Sequence, residues 1–303
     1  MKNLLPLAAA CFSLVVTILA QAGTETSDQS TATAEQAAAV PLDIFKFESG
    51  YDFESDLNHG GSRGQQDEIQ NEIEYGHRIQ ITGNYYLHLG LSYDRYDFGS
   101  TNSPVPNHLQ AAAAVLGIDY MHGADVGAFL EIRPGFYFQN DVGSSSFDVP
   151  ISVARIFVLK EDQLYLFAGV HAAFLHGNLP VVPLLGVIWI PNDKLRLMAL
   201  PPDPRVIYSP TKKLDLWIGG EFVGGSFRTD QNDNLQPVKL RGAQIDFTDY
   251  RVGVGLSYEL TSQILLDLGA GCSIEREFHF ARAGETYRTD PSPYIRLQLT
   301  APF

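Results

Sequence analysis

From Pro41 to the C-terminus, apolar and polar residues alternate along the chain in segments that are separated by turns. One such segment places Ile69, Ile73, Tyr75, Ile79 and Ile81 on one face, against Gln70, Glu72, Glu74, Arg78 and Gln80 on the other. A period of two residues is the pattern of a β-strand with one apolar and one polar face. The pattern therefore predicts an all-β chain.

The length of the segments distinguishes a membrane barrel from a soluble sandwich. A strand that crosses the hydrocarbon layer at a tilt needs about 9 to 11 residues, whereas globular strands average about 5 to 6. Most segments here have the longer length, and short turns alternate with longer polar loops at 55–66, 97–107, 140–146, 229–242 and 281–291. This arrangement predicts a single up-and-down antiparallel transmembrane β-barrel with short periplasmic turns and longer extracellular loops.

The number of strands depends on residues 194–208. Two short strands at 194–200 and 205–208, around Pro201-Pro202-Asp203-Pro204, give a barrel of 14 strands. Another division of the same region gives 12 strands. The number is even if both chain ends lie on the short-turn rim, and we predict 14 strands with 12 as the alternative.

The N-terminal 22 residues have the pattern of a cleaved signal peptide. Lys2 precedes an apolar run over residues 4–19, and Ala20-Gln21-Ala22 forms an A-x-A cleavage site. A lipoprotein signal ending at Cys11 is the alternative, but the apolar run continues past that cysteine. Cleavage predicts export to the outer membrane.

The mature chain divides into two parts. Residues 23–40 are rich in Thr, Ser, Gln and Ala and predict a flexible segment, and residues 41–303 form the predicted barrel. Cleavage leaves Cys272 as the only cysteine, so the exported protein has no internal disulfide.

The C-terminal strand carries the pattern of an assembly signal. Ile295, Leu297, Leu299, Ala301 and the terminal Phe303 share one face. An amphipathic last strand that ends in an aromatic residue resembles the signal that outer-membrane assembly machinery recognises. We expect that machinery and membrane lipids to be partners of the chain.

Aromatic residues near the turns and loops predict the two interfacial belts of a membrane barrel. Tyr85 and Tyr258 lie beside short turns, and Phe98, Phe138 and Phe280 lie near long loops.

Charge and motif content exclude several classes of function. The chain has 21 Lys and Arg against 35 Asp and Glu, and the net charge of −14 argues against a nucleic-acid partner. Its His and Cys residues show no metal-binding spacing, and no motif indicates a cofactor.

Gly60-Gly61-Ser62-Arg63-Gly64 matches G-x-S-x-G but lacks the following helix of a nucleophile elbow. His88 and His171 show no evident Ser partner, so we predict that the protein is not an enzyme, with a lipid hydrolase as a remote alternative.

Three stretches together resemble a bacterial outer-membrane β-barrel family that is classified as a domain of unknown function. They are Leu179-Pro180-Val181-Val182-Pro183-Leu184-Leu185-Gly186-Val187-Ile188-Trp189-Ile190-Pro191-Asn192, Pro204-Arg205-Val206-Ile207-Tyr208 and Gly219-Gly220-Glu221-Phe222-Val223-Gly224-Gly225-Ser226-Phe227. The resemblance extends over about residues 45–303. It implies an outer-membrane barrel and no catalytic residues.

The polar faces of the strands are the candidate functional surface. If the apolar faces contact lipid, the polar faces line the lumen, where the candidate residues are Glu72, Arg78, His88, Glu131, Arg133, Glu221, Arg251, Glu259, Asp267, Glu275 and Arg296. Such charges can line a hydrated, mildly cation-preferring channel, which predicts a passive channel or transport-type protein for small solutes. Alternatively they pair across the lumen and plug it, which would leave a structural barrel or a barrel that binds through its loops.

Overall fold

The computed structural model describes residues 40–99, 101, 103–122, 125–175, 180–233 and 235–303. The predicted signal peptide, 1–22, and residues 23–39 of the predicted flexible segment lie outside the described residues. Within the described part, no helix is long and apolar enough to cross a membrane.

Fourteen antiparallel strands form one closed sheet. Their bounds are β1 Asp43–Asn58, β2 Ser62–Thr82, β3 Tyr85–Phe98, β4 His108–His122, β5 Asp125–Ile132 continued by Gly135–Phe138, β6 Phe147–Asp148 continued by Ile151–Lys160, β7 Leu164–Ala172, β8 Val181–Asn192, β9 Leu195–Ala199, β10 Arg205–Thr211, β11 Leu214–Arg228, β12 Gln244–Thr261, β13 Ile264–Phe280, and β14 Glu285–Thr289 continued by Ser292–Pro302. Short 3-10 turns, Ser144–Ser146 and Val238–Leu240, lie in the loops after β5 and β11.

The sheet closes where β1 pairs with β14, from Ile44 opposite Pro302 to Asp52 opposite Tyr294. Because the sheet is closed, no strand is an edge strand over its full length. An open edge would expose unpaired backbone groups to lipid, which is energetically costly. The predicted fold class and the count of 14 are confirmed, including the two short strands on either side of Pro201-Pro202-Asp203-Pro204.

The outer face of the barrel is apolar. Its exposed side chains include Ile69, Ile73, Ile79, Leu91, Leu185, Val254 and Ile295, all from the apolar parity of their strands. Exposed aromatic residues lie at two levels that are about eight residues apart along a strand, such as Tyr85 and Tyr93 on β3. These two levels are the lower and upper belts of the membrane-facing wall.

The strands differ greatly in height. β2 has 21 residues and β12 has 18, whereas β9 has 5 and β10 has 7. Above the short strands, the ends of β5 and β11 meet in parallel at Phe138 and Arg228, and the Gln139 N–H donates to the Arg228 carbonyl at 3.0 Å. The upper part of the barrel is therefore surrounded by nine strands, β1–β5 and β11–β14, and the lower part by all fourteen.

Two of the predicted long loops are largely strand. Residues 55–66 form the ends of β1 and β2, with Leu57 buried inside and a tight turn at His59-Gly60-Gly61. The segment 281–291 contains the first part of β14, which pairs with β13 and with the end of β1. The polar composition of both hairpins reflects strands that continue beyond the membrane into water, and it was wrong to predict loops there.

Phe98 and Phe280 do not form the upper belt. Both side chains are buried inside the nine-strand part of the barrel. Phe98 has the inward parity of His88 on β3, and a one-residue bulge at Ile274 turns Phe280 inward on β13. Tyr85 and Tyr258 do face outward beside short turns, as predicted. The upper belt is instead formed by residues such as Phe53 and Tyr93.

Candidate functional site

The polar parity of the strands points into the barrel and brings most of the predicted lumen residues together. Arg78, His88, Glu131, Arg133, Arg251, Asp267 and Arg296 are buried there, and Glu72 and Glu221 face the same interior with a small exposed fraction. Glu259 lies beside a short turn, where its backbone N–H donates to the Lys213 carbonyl at 2.9 Å. The interior therefore contains a set of ionisable side chains from strands on opposite walls.

Glu275 is the predicted lumen residue that the structure places elsewhere. Tyr250 pairs with Glu275 but Arg251 pairs with Ser273, so β13 has a bulge at Ile274. The bulge shifts the parity by one residue, which turns Glu275 outward and Arg276 inward. Outside, Glu275 lies 3.7 Å from the guanidinium of Arg288, above the upper belt. Strict alternation across this position gave the wrong face.

The centre of the interior is the guanidinium of Arg251. It donates to Asp249 and Asp52 at 2.5 Å and to the amide oxygen of Gln70 at 2.8 Å, and it lies 3.5 Å from Glu68. The side chains of Arg251, Asp52, Asp249 and Glu68 are 0% exposed. We call Arg251, Asp52, Glu68, Gln70, Asp249 and Arg276 the Arg251 layer. It lies across the barrel interior at the level of the upper belt, because Asp52 lies between Tyr51 and Phe53 in sequence and Arg251 follows Tyr250.

The Arg251 layer is incompletely hydrogen-bonded. Neither carboxylate oxygen of Glu68 has a hydrogen-bond partner, and neither do Asp52 Oδ1 or Arg276 Nε and Nη1. Glu68 is held only by ion pairs of 3.5 Å to Arg251 and 3.6 Å to Arg276. Buried charged groups that lack hydrogen-bond partners raise the free energy of the folded state. If the layer only filled the barrel, apolar residues would stabilise the fold more.

A second ionic group lies below the first and is connected to it. Arg296 contacts Glu221 at 2.7 Å and Asp267 at 2.6 Å, and Glu221 lies 4.0 Å from Arg251. Asp267 also accepts from Arg205 at 3.1 Å and from the indole N–H of Trp217 at 3.0 Å. The connection extends through Glu48, 3.9 Å from Arg296, to Lys46 and Glu72.

A third ionic group lines the wall made by β2–β5. Arg133 bridges Glu131 at 2.6 Å and Glu74 at 3.0 Å, and Arg78 donates to Asp119 at 2.7 Å. The Nδ1 atom of His88 lies 3.9 Å from the Asp119 carboxylate. The charges on this wall are paired as well.

Two apolar clusters lie on either side of the ionic groups. The upper cluster fills the nine-strand part with Tyr96, Phe98, Phe247, Phe278 and Phe280 and with loop residues such as Leu240. The ring centroids of Phe98 lie 5.0 Å from Phe247 and 4.9 Å from Phe278. The lower cluster lies against the walls made by β5–β11 and includes Phe167, Leu184, Met198, Leu200 and Trp217. Charge and apolar packing together occupy the interior.

The only metal-type grouping among the described residues is Asp52, Glu68 and Asp249, whose ligand atoms lie within 4.8 Å of one another. The guanidinium of Arg251 already lies against two of these carboxylates, at 2.5 Å from each. The positive charge that such a group requires is thus supplied by the protein itself. The grouping therefore does not fit a metal ion.

The prediction that His171 has no Ser partner is wrong. Ser152 and His171 are directly opposite on β6 and β7, and Ser152 Oγ lies 2.9 Å from His171 Nδ1. The pair faces the interior and both residues are buried. Ser62, by contrast, is exposed at the start of β2, beside the tight turn of the first hairpin.

Several interior residues were not predicted as site residues. Glu68 has the same parity as Glu72 and could have been found by extending the alternation of β2 towards the N-terminus. Arg276 could not, because the bulge at Ile274 hides its orientation. Asp119 lies in a strand that is otherwise mostly apolar, and Asp249 lies close to the predicted loop at 229–242. The pattern of the sequence therefore did not indicate that either residue belongs to the site.

Solved structures with a similar fold are outer-membrane barrels. The chain is similar to a deltaS2 mutant of the TodX monoaromatic hydrocarbon channel, with 8% identity, a TM-score of 0.47, and coverage of 88% of this chain and 91% of that chain. It is also similar to an outer membrane channel from Pseudomonas putida F1, with 12% identity, a TM-score of 0.46, and coverage of 90% and 100%. The Pseudomonas putida toluene transporter TodX matches with 10% identity, a TM-score of 0.42, and coverage of 88% and 90%.

No family model and no curated protein matches the chain. The resemblance to a family of unknown function stays a prediction. The structural matches have identities of 8–12% and TM-scores of 0.42–0.47, and they concern the fold alone.

Proposed function

We propose that this barrel is a passive transport-type protein of the outer membrane for small solutes, and that the conformation described here is its closed state. The observation that supports the proposal is the connected set of interior ion pairs from Lys46 to Arg276, which crosses a closed barrel whose outer face is apolar. Charged side chains inside a membrane protein are costly and are typical of solute or ion pathways. Here most of them are buried and all are paired, so a solute passes only when the pairs separate.

The unsatisfied groups of the Arg251 layer support a closure that can open. Glu68 makes no hydrogen bond and its two ion pairs are long, so moving its carboxylate into water breaks few strong contacts. Acidic groups outnumber basic ones along the polar parity, which favours a mild preference for cations when the interior hydrates.

The second candidate function is a structural barrel, or one that binds through its loops, with a permanently plugged lumen. The complete burial of the Arg251 layer and the aromatic filling above it favour this alternative. The lipid-hydrolase alternative has no such support from Ser62, which lies at an exposed hairpin. That the protein is not an enzyme stays a prediction.

Conductance recordings of the purified full-length barrel in planar bilayers separate the two candidates. Arg296→Ala removes the cation that joins Glu221, Asp267 and Glu48, whereas Arg288→Ala removes ion pairs on the outside of the barrel. We expect rare, brief openings in the parent protein, increased conductance in Arg296→Ala, and parent-like behaviour in Arg288→Ala. If the parent and Arg296→Ala are both impermeable to ions, transport along the barrel axis is refuted and the plugged barrel is favoured.

A further inference from the structure

The wall of the barrel has a gap on the side of its short strands. β8 pairs with β7 over 181–189, but with β9 only from Val187 onward, because β9 ends at Ala199. Among the described residues, none pairs with β8 at 181–186 on the β9 side. Pro183 lies within this stretch, and a proline is tolerated in a sheet where no neighbouring strand requires its N–H.

The gap lies within the membrane. On β8 the exposed Trp189 lies in the lower belt, and Val181, eight residues away, lies at the level expected for the upper belt. Leu197 is opposite Trp189, so β9 would need to reach about residue 205 to attain the same height as β8. The chain turns back at Pro201 and Pro202 instead, and the unpaired edge of β8 lies in the outer half of the hydrocarbon layer.

The segment after β9 leans towards β11 and not towards β8. The Pro204 carbonyl accepts from the Gly220 N–H and the Pro202 carbonyl accepts from the Phe222 N–H, both at 2.9 Å. This pairing extends β10 up to the level of the upper belt. The gap is consequently bounded by β8 on one side and by residues 200–204 on the other.

One side chain at the edge of this gap, that of Leu200, packs into the lower apolar cluster. Leu200 is 2% exposed and belongs to that cluster, together with Leu184, Met198 and Trp217. A Cβ atom added to Gly186 would lie 2.5 Å from Leu200 Cδ2, so the glycine provides the space in which Leu200 is seated. Leu185 points the other way and is 67% exposed on the outer face.

We propose that this gap is a lateral portal for small apolar solutes, closed by Leu200 against Gly186. The inference rests on the transport role proposed above and specifies a class of solute. An apolar molecule dissolved among the acyl chains would reach the lower apolar cluster without crossing either the upper aromatic cluster or the Arg251 layer. The side chains named on the β8 side of the portal and in the cluster behind it are apolar, and the indole N–H of Trp217 is bonded to Asp267. The opposite boundary carries one charged residue, Asp203, which is paired with Arg205 at 2.6 Å.

The two tryptophans of the chain allow a direct test. Trp189 is on the outer face and Trp217 is inside the lower cluster, so a Trp189→Phe background reports only on the interior. In that background, the barrel is reconstituted into liposomes and the fluorescence of Trp217 is titrated with 1-bromohexane, which partitions into the bilayer and quenches indole. Leu200→Ala enlarges the portal, and Leu185→Ala is the matched control because it removes the same atoms from the outer face.

We expect 1-bromohexane to quench Trp217 in the background protein, several-fold more strongly in Leu200→Ala, and equally in the background protein and Leu185→Ala. Water-soluble acrylamide should quench Trp217 weakly in all three, which shows that Leu200→Ala has not loosened the whole barrel. Equal quenching by 1-bromohexane in Leu200→Ala and Leu185→Ala would overturn the portal. If Leu200→Ala does not fold, Leu200→Val is measured with the same expectations at smaller amplitude.

The quenching result is independent of the conductance result. Quenching that depends on Leu200 in a barrel that stays ion-tight would keep the portal and refute only the axial route. Conductance that increases in Arg296→Ala without any Leu200 effect on quenching would keep the transport role and refute the portal.

Discussion

Replacing Arg251 with Met tests whether the Arg251 layer holds the barrel closed. The change keeps a long apolar side chain and removes the guanidinium that lies 2.5 Å from Asp52 and Asp249. Oxygens of Asp52, Glu68 and Asp249 lie within 4.8 Å of one another, so their charges repel once the guanidinium is gone, and protonation of a carboxylate limits that repulsion. Removing one partner of a buried ion pair costs about 3–5 kcal/mol. We therefore expect a loss of stability of that size, which the barrel relieves by admitting water.

The measurements are the temperature at which the folded barrel loses its heat-modifiable migration in gels and the conductance in planar bilayers. Arg251→Met should unfold at a lower temperature and conduct more than the parent. The double variant Arg251→Met with Asp249→Asn should regain part of the lost stability, because it removes one of the three repelling charges. A variant Arg251→Met that unfolds at the parent temperature and stays ion-tight would refute the reasoning.

Three further predictions concern the register, the C-terminus and the loops. Deleting Ile274 should leave a folded barrel whose unfolding temperature is within a few degrees of that of the parent. The reason is that Arg276 still points inward once the bulge is removed. Misfolding of this variant would show that the bulge itself is needed. Deleting Phe303 should reduce the amount of barrel assembled in the outer membrane of cells. Refolding of the purified protein into detergent micelles should remain efficient, since the Phe303 backbone makes only the last two hydrogen bonds to Asp43. An equal loss of refolding in micelles would indicate a structural role instead. The hydrogen bond from Lys239 lowers the pKa of Glu285 below its usual 4.5, so the ion pair between the β11–β12 loop and the β13–β14 hairpin is fully present above pH 4.5 and is lost as the pH falls through the lowered pKa. The hydrogen bond from Lys239 Nζ to the Ala283 carbonyl then remains. Protease cleavage of that loop should increase at acidic pH in the parent, and Glu285→Gln should be cleaved faster at neutral pH with little dependence on pH.

Alternation predicted the barrel well because lipid and a packed interior impose opposite chemistry on successive residues. It succeeded on β2, where Ile73 faces lipid and Glu74 faces Arg133 inside. It failed on β13, because a one-residue bulge leaves no mark in a sequence where Ile274 and Glu275 both belong on the outer face.

The closure of the interior could not be predicted from the sequence. Parity indicates that Glu48, Glu221 and Arg296 face inward, but whether they meet across the lumen depends on the diameter of the barrel and on the shear between strands. The upper apolar cluster was also missed. Phe98 and Phe280 look like belt residues because they lie next to predicted loops, but Phe98 shares the inward parity of His88 and the bulge at Ile274 turns Phe280 inward.

The short β9–β10 hairpin also makes the architecture modular. β8 descends towards the short-turn rim and β11 ascends from it, so excision of residues 193–213 would bring two antiparallel strands side by side without reversing either. The upper part of the barrel would be unchanged, because its nine strands do not include β9 or β10. A twelve-stranded relative could thus arise by loss of one hairpin, and the diameter of the base could change over evolutionary time while the outward-facing end kept its form.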